Sequence, residues 1–211
     1  MKALCSALVA LSILALAGCG TDALNTTNRP AANVSKLISS TKAMTYKTYT
    51  NPRFGFFVEY PAAWRVGPRP TDGDGRWFTT PSGDESFDNG YGSTVPKTDV
   101  ILQAVGTINT VSGSGNGYNF AQMVDIFKKN LQDENNQPGF ISESYSVVPN
   151  RWIVVNLVTK VGTSGIQYSK TYVSLHTNQT ITMTFPTNKR TLYLPIWDYV
   201  SQKFQPGNKP G

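Results

Sequence analysis

The sequence predicts an α+β fold, an antiparallel sheet flanked by helices, and three features predict it. Four β-patterned runs, Ser142 to Val148, Trp152 to Val161, Gln167 to His176 and Thr180 to Pro186, follow one another with only short polar breaks between them. Ahead of them lies one strong helical stripe, Phe120, Met123, Val124, Phe127 and Leu131, and behind them a second helix from Pro195 to Phe204. Short aromatic, β-branched strands open the region, and strands followed by a helix, then strands, then a helix make an antiparallel sheet with helical cover.

The first residues are of a different kind. Met1 and Lys2 give a small positive start, and Ala3 to Ala17 is almost unbroken apolar, which reads as an export signal. The run is too short to span a bilayer, which needs about 20 apolar residues. Leu16-Ala17-Gly18-Cys19 closes it, and this tetrapeptide resembles the lipobox of bacterial lipoproteins. The resemblance implies cleavage before Cys19 and acylation of that cysteine, residues 1–18 being the signal peptide. Two or more acyl chains anchor a protein stably where one holds it only marginally. The other of the two cysteines, Cys5, lies within the signal, so the mature domain has no thiol to pair. Gly20 after the cysteine, by resemblance to Gram-negative sorting, favours the periplasmic face of the outer membrane.

Residues 19–44 read as the lipidated cysteine and a flexible tether rich in Asn, Thr, Ala and Ser. About 25 such residues would hold their ends about 25 to 30 Å apart. The folded domain is expected over residues 45–205, with 206–211 a frayed, disordered tail. The chain has 19 basic and 13 acidic side chains. This mild positive balance is compatible with anionic envelope neighbours such as head groups or wall polymers, and equally with an ordinary solvated surface. Nucleic acid is not an expected partner of an exported, anchored chain.

Within the domain, Tyr46 and Tyr49 lead into the turn signal Asn51-Pro52, and Phe54 to Tyr60 is a strand closed by Pro61. Trp64 and Val66 extend this region. A tight turn, Asp72 to Gly75, precedes a short strand from Arg76 to Thr80. Pro81 to Lys97 is a loop of a length that is usually functional or disordered, and Trp77, Asp84, Asp88, Tyr91 and Lys97 form its candidate partner surface. Thr98 to Ile108 has the pattern of a central strand covered on both faces. Gly113, Gly115 and Gly117 lead into the helix, whose Asn119 and Gln122 make a capping box. Gly162 to Gly165 and Thr177 to Gln179 are the expected hairpin turns of the last three strands.

Phe54-Gly-Phe-Phe-Val-Glu-Tyr-Pro-Ala-Ala-Trp64 resembles the opening of PsbP-like domains, and Tyr168-Ser-Lys170, Phe185-Pro186 and the closing helix are similar as well. The resemblance spans roughly residues 45 to 205. It implies an α/β/α sandwich and a family of binding, assembly and chaperone-like modules. It carries over no ligand-binding residue, because the matched positions are core and turn.

No catalytic constellation stands out. The single histidine, His176, sits beside a hairpin turn, and no G-x-S-x-G elbow occurs. Glu59, Asp99, Asp125 and Glu143 are carboxylates available singly for acid–base work. Asp72, Asp74, Asp84, Glu85 and Asp88 lack EF-hand spacing and read as turn chemistry. The glycines ahead of the helix lack a Walker lysine and read as a connection. No cofactor and no metal are expected. Trp77, Tyr91, Tyr118, Trp197 and Tyr199 are aromatic candidates for a recognition patch. The expected function is a lipid-anchored, non-enzymatic binding or assembly module of the bacterial envelope, held at the membrane by Cys19, its partner an envelope protein or anionic polymer. The alternatives are an envelope hydrolase using its acids, or an immunity or inhibitor lipoprotein that engages a toxin through the Pro81 to Lys97 loop.

Overall fold

The computed structural model describes residues 44–67, 74–82, 99–109, 118–134 and 138–209. Cys19, the Gly113 to Gly117 connection, and Asp84, Asp88, Tyr91 and Lys97 of the long loop lie outside them. The chain opens with a two-stranded antiparallel ribbon, β1 (Tyr46–Thr50) and β2 (Phe57–Pro61). Its turn is set by Asn51, whose side-chain oxygen accepts from the N–H groups of Arg53 at 2.9 Å and Phe54 at 2.8 Å, a local substitute for backbone pairing that Asn is suited to make. Gly55 completes the turn at φ +78°, a backbone region open chiefly to glycine.

The remaining strands form one seven-stranded sheet in the order β3-β4-β5-β9-β8-β7-β6. They are β3 (Arg65–Val66), β4 (Gly75–Thr79), β5 (Ile101–Ile108), β6 (Phe140–Val148), β7 (Trp152–Val161), β8 (Gly165–Val173) and β9 (Thr177–Pro186), each pair antiparallel. The helix α1 spans Phe120–Glu134, and α2 spans Arg190–Lys203 after a 3-10 turn at Thr187–Lys189. Among the described residues no helix is long and apolar enough to cross a membrane. The fold is α+β as expected, but the sheet dominates it, where flanking helices were expected to share the structure.

Alternation along the strands fixes where the core sits. Ile181, Met183 and Phe185 of β9, Ile166 and Tyr168 of β8, and Leu102 and Ala104 of β5 share one face. They pack with Phe54, Phe56, Val58 and Tyr60 of the ribbon and with Tyr193, Ile196, Trp197 and Val200 of α2. Aromatic pairs lock this cluster, Tyr60 on Phe78 at 4.2 Å and Phe56 against Phe204 at 5.7 Å. Ile153 and Val155 of β7 face the other way and pack under Phe120, Met123 and Val124 of α1. The capping box forms as expected, with Asn119 N–H donating to Gln122 at 2.9 Å and Gln122 N–H to Asn119 at 3.0 Å.

Four expectations are corrected. The last hairpin turns at Ser174 to His176, three residues earlier than expected, because the Ser174 hydroxyl accepts from the N–H groups of His176 and Thr177 while Thr177 and Gln179 point into the core. The closing helix begins at Arg190, so Pro195 lies inside it. That position forfeits one intrahelical hydrogen bond, and burial of Tyr193, Ile196 and Trp197 around it offsets the loss. Only one face of β5 is fully buried, the other partly so. Residues 206–209, expected to fray, are docked: Gln205 just before them bridges Phe57, and the buried Gln179 grips Gly207 at both ends of its amide, at 2.7 and 3.0 Å.

Candidate functional site

Of the four carboxylates singled out as catalytic candidates, Asp99 and Glu59 are each held by a tyrosine of α2. Asp99, just before β5 and 4% exposed, accepts from the Tyr193 hydroxyl at 3.0 Å and from its neighbour Val100 N–H at 2.8 Å. Its other oxygen accepts from the Thr80 and Ser82 hydroxyls. Glu59 on β2 accepts from the Tyr199 hydroxyl at 2.6 Å, and the Tyr199 ring stacks on Tyr46 at 4.0 Å. These pairs clamp α2 to the sheet and the ribbon. Asp125 is exposed on α1, and Glu143 lies on the edge strand β6. Asp74 pairs with Arg53. Among the described residues no group of three His, Cys, Asp or Glu side chains could hold a metal ion.

The tyrosines are held in their protonated form. Burial pushes the Tyr193 hydroxyl well above its ordinary value, with its hydrogen bond to Asp99 and that residue's charge adding to the effect. Tyr199 is raised first by its hydrogen bond to Glu59, and Tyr46 by burial and then by the same carboxylate. A tyrosine whose folded pKa is raised contributes stability that is complete below the unfolded value of about 10 and is lost as pH rises through the folded one. Unfolding titrated from pH 8 to 12 is therefore expected to show stability falling above about pH 10, less steeply in Tyr193→Phe.

The aromatic surface is smaller than the sequence implies. Trp77 is buried at 7% exposure, its ring lying against Gly67, and Trp197 is buried to the same degree in the core beneath α2. Tyr199 is partly buried, and Tyr118 is exposed. Of the five loop-surface candidates only Trp77 is among the described residues, and it does not form a surface.

Among the described residues, concave sites lie at opposite ends of the β7–β8–β9 hairpins, and two of them are built as follows. The larger, about 650 Å³, is lined by Lys160, Thr163, Ser164, Thr187 and Asn188, with apolar Ile141 and Ile166. The other, about 260 Å³, draws on four separated segments: Arg151 and Trp152 after β6, Leu175 and His176 before β9, Phe120 at the start of α1, and Lys209 of the docked tail. Neither Glu59 nor Asp99 lines either cavity. His176 is exposed in its turn, as expected. Sequence reasoning passed over Arg151 and Lys209. The available signal was turn chemistry, since Asn150 beside Arg151 adopts φ 57°, but nothing in the sequence brings the tail to that turn.

No known family matches the chain, and no characterised protein matches it in sequence. Solved structures of similar shape include cyanobacterial PsbP from Synechocystis sp. PCC 6803, with TM-score 0.46 and 12% identity over 77% of this chain and 93% of that one. The Ran-binding protein Mog1p of Saccharomyces cerevisiae is similar with TM-score 0.42 and 8% identity over 77% and 96%. A Pseudomonas aeruginosa protein of unknown function, PA94, is similar with TM-score 0.37 and 13% identity over 75% and 94%.

Proposed function

We propose that this chain is a lipid-anchored binding or assembly module of the bacterial cell envelope and not an enzyme. The observation that supports the reading is the use of Glu59 and Asp99: each holds a tyrosine of α2, and among the described residues neither lines either of the two cavities described above. Paired carboxylates act in catalysis by flanking a substrate across a cleft, and these two are spent on holding the fold. The Phe54 to Trp64 segment supports a PsbP-like α/β/α arrangement, because Phe54, Phe56, Val58, Tyr60 and Trp64 all enter one core cluster. The anchor rests on the lipobox, with Cys19 acylated and Gly20 favouring the outer membrane's periplasmic face.

The test follows the anchor and the chemistry together in cells that express the full chain. Labelled palmitate is expected on the wild type, which sediments with membranes, and on none of Cys19→Ser, which is recovered in the soluble fraction. Equal labelling of both would remove the anchor. Hydrolysis of envelope esters, glycans or peptides by the purified chain that Glu59→Gln abolishes would overturn the non-enzymatic reading.

A further inference from the structure

We propose that the cavity bounded by Arg151, His176 and Lys209 binds a small oxyanion, a phosphate or carboxylate group carried on a compact body. This deepens the binding-module reading by assigning a ligand class to one of its concave sites, and it rests on that reading only for the ligand's biological setting.

Charge is the first argument. Among the described lining residues there is no carboxylate, while Arg151 and Lys209 each bring a full positive charge. Neither cation is neutralised by an acid among the described residues. The Arg151 guanidinium donates to the Asn208 side-chain oxygen at 3.3 Å, and the Lys209 ammonium donates to the Pro52 carbonyl at 2.9 Å. Both partners are neutral. Arginine has five N–H donors in a planar fork, so Arg151 keeps donors for an incoming anion, and such charge-assisted bonds are roughly twice as strong as neutral ones. Lys209, its ammonium on the Pro52 carbonyl, adds positive charge beside the site.

Pre-organisation is the second. Asn208 and Lys209 follow directly on Gly207, which is held by the buried amide of Gln179 and packed against the backbone of Phe54 and Phe56. On the opposite side the turn bearing His176 is fixed by the Ser174 hydroxyl and by Asn109 N–H, which donates to the His176 carbonyl at 2.8 Å. Fixing the backbone beforehand lowers the ordering cost of binding. Phe120, Trp152 and Leu175 give the cavity apolar walls, and an apolar wall strengthens an ionic contact beside it by lowering the local dielectric.

The size of the site limits the ligand. About 260 Å³ is just below the roughly 300 to 1,000 Å³ of ordinary small-molecule sites, which suits a single phosphate or carboxylate with a few carbons. A phosphorylated metabolite and a phospholipid head group share this chemistry.

The test is titration of the ¹⁵N-labelled full chain, carrying Cys19→Ser for solubility, with inorganic phosphate and separately with dihexanoyl phosphatidylglycerol below its micelle concentration. Saturable shifts of the Arg151, His176 and Lys209 amides are expected. In Arg151→Gln/Lys209→Gln, whose side chains are exposed and whose melting should be unchanged, affinity is expected to fall about tenfold or more. Tighter binding of phosphate identifies a free anion and tighter binding of the lipid a head group. Absence of saturation by about 10 mM for both probes, or undiminished affinity in the folded double variant, overturns the proposal. Either failure leaves capture of an envelope partner untouched, so the two readings fall separately.

Discussion

Replacing Gly207 by valine is expected to lower stability by about 3 kcal/mol, through a clash that no side-chain rotation relieves. A Cβ at this position would lie 2.1 Å from the Phe54 carbonyl oxygen and 2.3 Å from the Gly55 carbonyl carbon. Both are backbone atoms, so either the ribbon turn moves or the tail leaves. If the tail leaves, the fully buried Gln179 amide keeps its Thr177 hydroxyl but loses both hydrogen bonds to Gly207, and a buried polar group left unpaired costs about 1 to 3 kcal/mol. The two routes give similar costs. Thermal melts should fall by about 6 to 12 °C for a domain of this size, and hydrogen exchange should show residues 205–209 losing protection. An unchanged melt would mean that the tail contributes nothing to the fold.

Asp99→Ala is expected to destabilise by about 2 to 4 kcal/mol. The carboxylate accepts from Tyr193, Thr80, Ser82 and Val100 at once, and its removal strands the Tyr193 hydroxyl on a side chain only 5% exposed. Asp99→Asn retains one oxygen acceptor and should cost less than half as much. Urea unfolding of the three proteins measures the ordering directly. If alanine were tolerated within about 0.5 kcal/mol, Asp99 would have to be kept for something other than holding α2.

Much of this architecture could be read from local pattern. The Trp152–Val161 strand, the helical stripe and the Asn119 capping box each depend on residues a few positions apart, and each formed where the pattern placed it. What escaped the sequence depends on distant partners. Thr177-Asn-Gln179 has turn composition, but Gln179 is a core residue because Gly207, 28 positions later, supplies the amide it needs. The tail's Gln-Pro-Gly-Asn-Lys composition reads as disorder and is overruled by the same contact. In the sequence Glu59 and Asp99 look like any other single acids; the tyrosines that occupy them stand 140 and 94 positions away. Trp77 looked like surface because it borders a long loop, yet Gly67 leaves room for its ring. For the same reason Arg151 and Lys209 were invisible as a pair: only the docked tail places both on one cavity.

The measurement that tests the central claim most directly is capture from solubilised envelope with the full chain and with Glu59→Gln, followed by mass spectrometry of what each retains. A binding module predicts the same partner at the same stoichiometry on both. An enzyme predicts that Glu59→Gln traps an intact substrate which the wild type releases as product, and that result would contradict the account.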